Sequence, residues 1–114
     1  QLGRVAQEQR QWAQAEHYYQ QALQIYIDFN DRYAQAATYH QLGRVAQEQR
    51  QWAQAEHYFL QALETYTAYK DSHYAGIVLG SLARLWQASG DTSLPAAIAG
   101  ILGVSPGEVE ALLR

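Results

Sequence analysis

The sequence predicts an all-α fold, a solenoid of antiparallel helix hairpins with a C-terminal helical cap, and three observations carry that expectation. The stretch QLGRVAQEQRQWAQAEHY stands at residues 1–18 and again, letter for letter, at 41–58. Reading on from each copy, Gln21, Ala22, Leu23, Tyr26 and Asp31 recur as Gln61, Ala62, Leu63, Tyr66 and Asp71, so 23 of 40 aligned positions match and the period is 40 residues. Within a unit the apolar residues recur at helical spacing, and a unit of that length cannot bury its apolar face alone, whereas stacked copies can. The 114 residues fit one domain, divided into a first hairpin at 1–30, a second at 31–70, and a partial third with its cap at 71–114.

Residues 1–9 place Leu2, Val5 and Ala6 on one side, with Arg4, Gln7 and Glu8 opposite, at about 100° per residue. This amphipathic helix breaks near Arg10 and Gln11. Trp12, Ala15, Tyr19, Ala22, Leu23 and Tyr26 then mark the stripe of a second helix running to about Phe29. Asn30 and Asp31 supply stop and start signals, because the Asp31 carboxylate can accept from the free amides that open the next helix; Asp71 repeats that cap. The second hairpin is expected at about 32–49 and 52–69, with Tyr39, Leu42, Gly43, Ala46, Trp52, Ala55, Phe59, Ala62 and Leu63 inward.

The third unit begins as a copy, with Leu79, Leu82, Ala83 and Trp86 in the places of Tyr39, Leu42, Gly43 and Ala46. After Gly90, Asp91 and Thr92 it diverges into SLPAAIAGILGVSPGEVEALLR, which predicts a short helix over about 93–102, a turn at Gly103 and a last helix from Pro106. Ser105 and Glu108 have capping-box spacing, with proline at the first helical position. Where the third unit has Gly90 at its turn, the first two carry Arg10 and Arg50, a cost on the order of 1 kcal/mol per turn if the backbone there is left-handed.

The set Tyr39, Leu42, Gly43, Ala46, Trp52, Ala55, Phe59 and Ala62 resembles the tetratricopeptide repeat, and the resemblance covers roughly residues 1–92. It implies a right-handed superhelix in which small residues let helices approach and large ones fill the remaining space. It also implies that the first helix of each unit lines a concave groove. The chain departs from the family's common unit of about 34 residues and lacks the usual proline after the second helix; a second helix longer by about two turns is the expected source of the extra length. The longer unit is similar to that of kinesin light chain-like arrays and of sensor regions in bacterial signalling ATPases, where such arrays hold a peptide or partner domain.

The functional expectation is therefore a protein-binding scaffold and not an enzyme. Stacking in register places Arg4, Arg44 and Arg84 in one column and Gln7, Gln47 and Gln87 in another, with His40 and Gln41 beside them. Planar guanidinium groups suit carboxylates, so the partner expected for these residues is an acidic peptide or a free C-terminal carboxylate. Glu8 and Glu48, one turn after Arg4 and Arg44, are possible internal partners for them, whereas Arg84 has Ala88 at that position. The alternative function is self-assembly into homodimers or larger stacks through the solenoid ends, since the apolar position matching Tyr39 precedes Gln1. That first residue, inside a helical pattern, leads to the expectation that the chain is a piece of a longer array.

IAGILGVSPGEVEALL also resembles a DNA-binding helix-turn-helix. Its second helix offers Glu108 and Glu110 where base and phosphate contacts need donors, and the net charge is −3, so no nucleic-acid partner is expected. The four histidines form no zinc spacing, there is no glycine-rich phosphate loop, and no cofactor is expected. No membrane partner is expected, because no apolar run reaches about 18 residues; with no cysteines, cytoplasm is the expected location.

Overall fold

The computed structural model of the protein describes residues 11–114. The helix expected over 1–9, with Arg4, Gln7 and Arg10, lies outside the described residues. Six helices follow one another: α1 (Trp12–Asp28), α2 (Arg32–Glu48), α3 (Trp52–Ala68), α4 (Ser72–Ser89), α5 (Leu94–Leu102) and α6 (Pro106–Leu113). Each of α1 to α3 packs on its successor in the manner of a repeat array, whereas α5 packs on α3 and α6 closes on both α4 and α5. Both helices of the second hairpin are 17 residues long, so the longer period is shared between them and is not confined to the second helix.

The turns are built as the composition predicted, with one addition. Asp31 accepts from the Ala34 amide at 3.0 Å and Asp71 from the Tyr74 amide at 3.1 Å, capping α2 and α4. Asn30, Arg50 and Lys70 each adopt the left-handed backbone that Gly90 adopts in the third unit, with φ of 54°, 58°, 56° and 68°. At each of the first three, paired hydrogen bonds close the preceding helix: the Arg50 amide donates to the Gln47 carbonyl and the Gln51 amide to the Ala46 carbonyl, both at 2.9 Å. These bonds satisfy carbonyls that a helix end leaves free, which holds a non-glycine residue in a conformation costing about 1 to 2 kcal/mol.

The core follows the predicted stripe. Leu42, Ala46, Ala55, Phe59, Ala62 and Leu63 are buried, whereas Tyr39 and both tryptophans, Trp12 and Trp52, are only partly so. The tryptophans lie at the first position of α1 and α3, where the edge of the hairpin leaves one side of the ring to solvent. The central contact is between Gly43 and Phe59: a Cβ at Gly43 would lie 2.5 Å from two carbons of the Phe59 ring. α2 and α3 can meet at this distance only because one residue has no side chain and the other has a flat one. Forty residues on, the pair is Ala83 and Ala99, so the methyl appears where the ring has gone.

The C-terminal helices extend this core. Leu94, Ile98, Val109 and Leu113 are fully buried against it, Gly103 takes φ 71° to end α5, and the Ser105 capping box starts α6. A further tie joins α3 to the α4–α5 loop. Burial, and then a hydrogen bond shared with Asp91, push the Glu56 carboxyl up to about 7. That same bond, with Ser93, holds Asp91 below its ordinary value. Among the described residues no single helix is long and apolar enough to cross a membrane.

If the ring-on-glycine contact sets the α2–α3 distance, Gly43→Ala lowers stability by about 1 to 3 kcal/mol, outweighing the gain of up to about 1 kcal/mol that alanine brings to a helix. Gly80→Ala is the control, since its new methyl would meet nothing closer than Arg84 Nη1 at 3.8 Å. Urea unfolding should show the first variant destabilised and the second unchanged or stabilised.

Candidate functional site

A cavity of about 420 Å³ lies between α2 and α4, lined by His40, Arg44, Gln47 and Glu48 from one helix and Ile77, Ser81 and Arg84 from the other. Both contributions follow from helical spacing. His40, Arg44 and Gln47 are four and three residues apart, as are Ile77, Ser81 and Arg84, so each set forms one stripe along its helix. The cavity is therefore the seam between two successive first helices.

A chain of contacts anchors this seam to the core. The His40 ring lies 5.5 Å from the Phe59 ring, tilted by 52°, and its Nε2 is 2.8 Å from the hydroxyl of buried Ser81. Arg84 donates from Nη2 to the same hydroxyl at 3.2 Å. The serine oxygen accepts from the guanidinium, leaving its own proton free to go to the imidazole. Burial, and then the positive charges of Arg44 and Arg84, lower the His40 pKa to about 4, so the imidazole is neutral at pH 7 and both its neighbours are cations. Glu48 lies one turn beyond Arg44, yet among the described residues no ion pair joins them. The guanidinium of Arg44 is open to a ligand, and that of Arg84 is oriented by Ser81.

The family comparison agrees with this architecture. A tetratricopeptide repeat family model matches residues 1–68 and 34–94. The chain belongs to the tetratricopeptide repeat family. Comparison with curated proteins and with solved structures returned no significant match. Tetratricopeptide repeats are generally protein-interaction modules.

Of the residues expected at the site, the repeat brings His40, Arg44, Gln47 and Arg84 together. Arg4 and Gln7 lie outside the described residues. Gln41 does not line the seam; one period on, its position is Ser81. Gln87 is drawn away: its Nε2 donates to the Leu113 carbonyl at 3.4 Å, tying α4 to the cap. Ile77, Glu48 and Ser81 were not anticipated. Ser81 replaces the glutamine of the register position, and that substitution was the available signal.

In the Ser81–His40 pair the imidazole is a poor base toward the serine hydroxyl. An imidazole with a pKa of about 4 is a weak base at neutral pH, and among the described residues no carboxylate bonds its other nitrogen. The same residues include no group of three His, Asp or Glu placed to hold a metal ion. The segment that carries the helix-turn-helix resemblance forms α5 and α6, bent by 109°. There Glu108 and Glu110 face outward, and Arg114, the basic residue of that segment, sits 5.9 Å over the Trp86 ring in a cation–π contact.

The charges around His40 make its titration a reporter of the seam. In a histidine-detected NMR titration, His40 should protonate near pH 4, and Arg84→Gln should raise the midpoint by removing one of the two repelling cations. An unchanged midpoint in that variant would show that Arg84 does not act on the imidazole.

Proposed function

We propose that the chain is a binding scaffold whose α2–α4 seam holds an acidic segment, or the C-terminal carboxylate, of a partner protein. The observation that carries this reading is a polar cavity of about 420 Å³ flanked by two arginines that form no ion pair among the described residues, although Glu48 also lines it. A carboxylate entering there accepts charge-assisted bonds from Arg44 and Arg84, with the amide of Gln47 as a further donor. Arg84 is held by Ser81 before the ligand arrives, so less side-chain freedom is lost on binding. His40 adds no charge at neutral pH and keeps Ser81 in place. Signalling arrays of bacterial origin are a setting in which such a module would serve.

Self-association is the second reading, and a separate observation favours it. Ile25, Ile27 and Phe29 are exposed toward the end of α1, Phe29 by 80%, and apolar surface at a solenoid end tends to stack. Mass measured across concentration distinguishes it, since a strict monomer leaves the seam as the binding surface.

The test of the seam is a calorimetric titration with a synthetic peptide ending in acidic residues and a free carboxylate, beside the same peptide amidated at its C-terminus. Arg44→Glu and Arg84→Glu should each weaken binding by about 1.5 to 3 kcal/mol, the worth of a hydrogen bond to a charged group. Affinity should also fall as salt rises. The same reversal at Arg32, exposed at the start of α2, should leave binding nearly intact; equal losses at Arg32 and Arg44 would reduce the effect to net charge and remove the site.

A further inference from the structure

We propose that a second site, on the opposite side of α4 from the seam, receives a short amphipathic helix of a partner protein carrying a leucine and an aromatic residue one turn apart. The inference comes from a difference between the second and third units. α3 runs to Ala68, whereas α5 stops at Leu102, because Gly103 turns left-handed and Pro106 opens a new helix bent by 109°. In the second hairpin the final turns of α3 cover the first half of α2: Leu63 and Tyr66 are buried, Ala36 is 0% exposed, and the Tyr33 ring meets Tyr66 at 5.6 Å. One period later these positions are Gly103 for Leu63, Pro106 for Tyr66 and Gly76 for Ala36. The third unit thus lacks the two side chains that closed the second.

The space they leave is a cavity of about 410 Å³ between the end of α3, the first half of α4 and Leu102. Tyr66, Ala75 and Leu79 form apolar wall. Gly76 is exposed, and a Cβ there would meet nothing within 4 Å, although its counterpart Ala36 is fully enclosed. Ala75, Gly76 and Leu79 lie on the side of α4 away from Ile77, Ser81 and Arg84, at about 100° per residue, so this site and the seam are physically separate.

The occupant follows from the surroundings. The cavity prolongs the α3–α5 interface past Leu102, so a helix laid along it continues an existing packing line, the helix-in-groove mode of recognition. Asp71, at the rim, is engaged: it caps α4 and accepts from the Tyr33 hydroxyl. Lys70, also at the rim, has no carboxylate partner among the described residues, so the incoming helix carries an acidic residue for it. A second copy is a poor fit, because the matching residues of α1, Leu23 and Tyr26, are already partly buried and Leu23 packs in its own core.

The probe is a helix-stapled peptide reproducing residues 60–70 of this chain, LQALETYTAYK, which carries Leu63, Tyr66 and the Glu64 carboxylate. Titrated into the isotope-labelled 114-residue chain, it should give saturable amide shifts at Ala75, Gly76 and Leu79. Gly76→Trp fills the cavity from an open position, so the fold should melt unchanged while affinity falls at least about tenfold, roughly the 1.4 kcal/mol of one lost packing contact. Arg84→Glu should leave this affinity unchanged, which separates the site from the seam. Several results would overturn the proposal: no saturable shift at these amides, full binding by Gly76→Trp, shifts centred on Ala36 from displacement of α3, or the same shifts arising from protein concentration alone.

Discussion

The seat of Phe59 on Gly43 is the contact on which the rest of the structure depends. A ring that meets a helix backbone with no intervening methyl fixes how near α2 and α3 stand, and the same ring neighbours His40. From His40 the contacts run to Ser81 and on to Arg84, so the position of a groove cation is set from the core outward. Burial of one phenylalanine contributes about 1.5 to 3 kcal/mol, enough to offset the roughly 1 to 2 kcal/mol of holding Arg50 left-handed in the turn of the same hairpin. Packing therefore overrides the local preference of the turn residue.

Much of this was legible because the sequence repeats itself. Residues 11–18 and 51–58 are identical and open α1 and α3 alike, and Asp31, Asp71 and Ser105 signal helix starts through short-range chemistry that needs no tertiary knowledge. The left-handed turn at Arg50 was legible by comparison with Gly90. What was not legible depends on contacts between units. Ser81 meets His40 across 41 positions, at places where the copies differ, so no periodicity points to the pair. Gln87 leaves its column because the divergent C-terminal segment offers it the Leu113 carbonyl. The partial exposure of Trp12 and Trp52 follows from their place at the first position of a helix, which residue type alone does not reveal.

α4 gives the molecule two unlike faces. One faces α2 with Ile77, Ser81 and Arg84 in a polar seam; the other lines an apolar cavity because the third unit's second helix is cut short. The net charge of −3 gives the chain no general attraction for anions, so an acidic ligand at the seam depends on Arg44 and Arg84 acting locally. Glu48 lines the same cavity, yet neither arginine is tied up in an ion pair among the described residues, which is what makes the seam a candidate site. The left-handed turn at Gly103 that shortens the second helix of the third unit also leaves the second cavity open.

The central claim, that the seam between successive first helices is the recognition surface, is tested most directly by mapping where a ligand lands. With an acidic peptide bearing a free carboxylate, amide and side-chain NMR shifts should concentrate at His40, Arg44, Ser81 and Arg84, and the His40 midpoint should rise from about 4 as the bound carboxylate offsets the two arginines. Shifts gathered instead around His17 and His57 on the outer helices, with His40 titrating as before, would contradict the account.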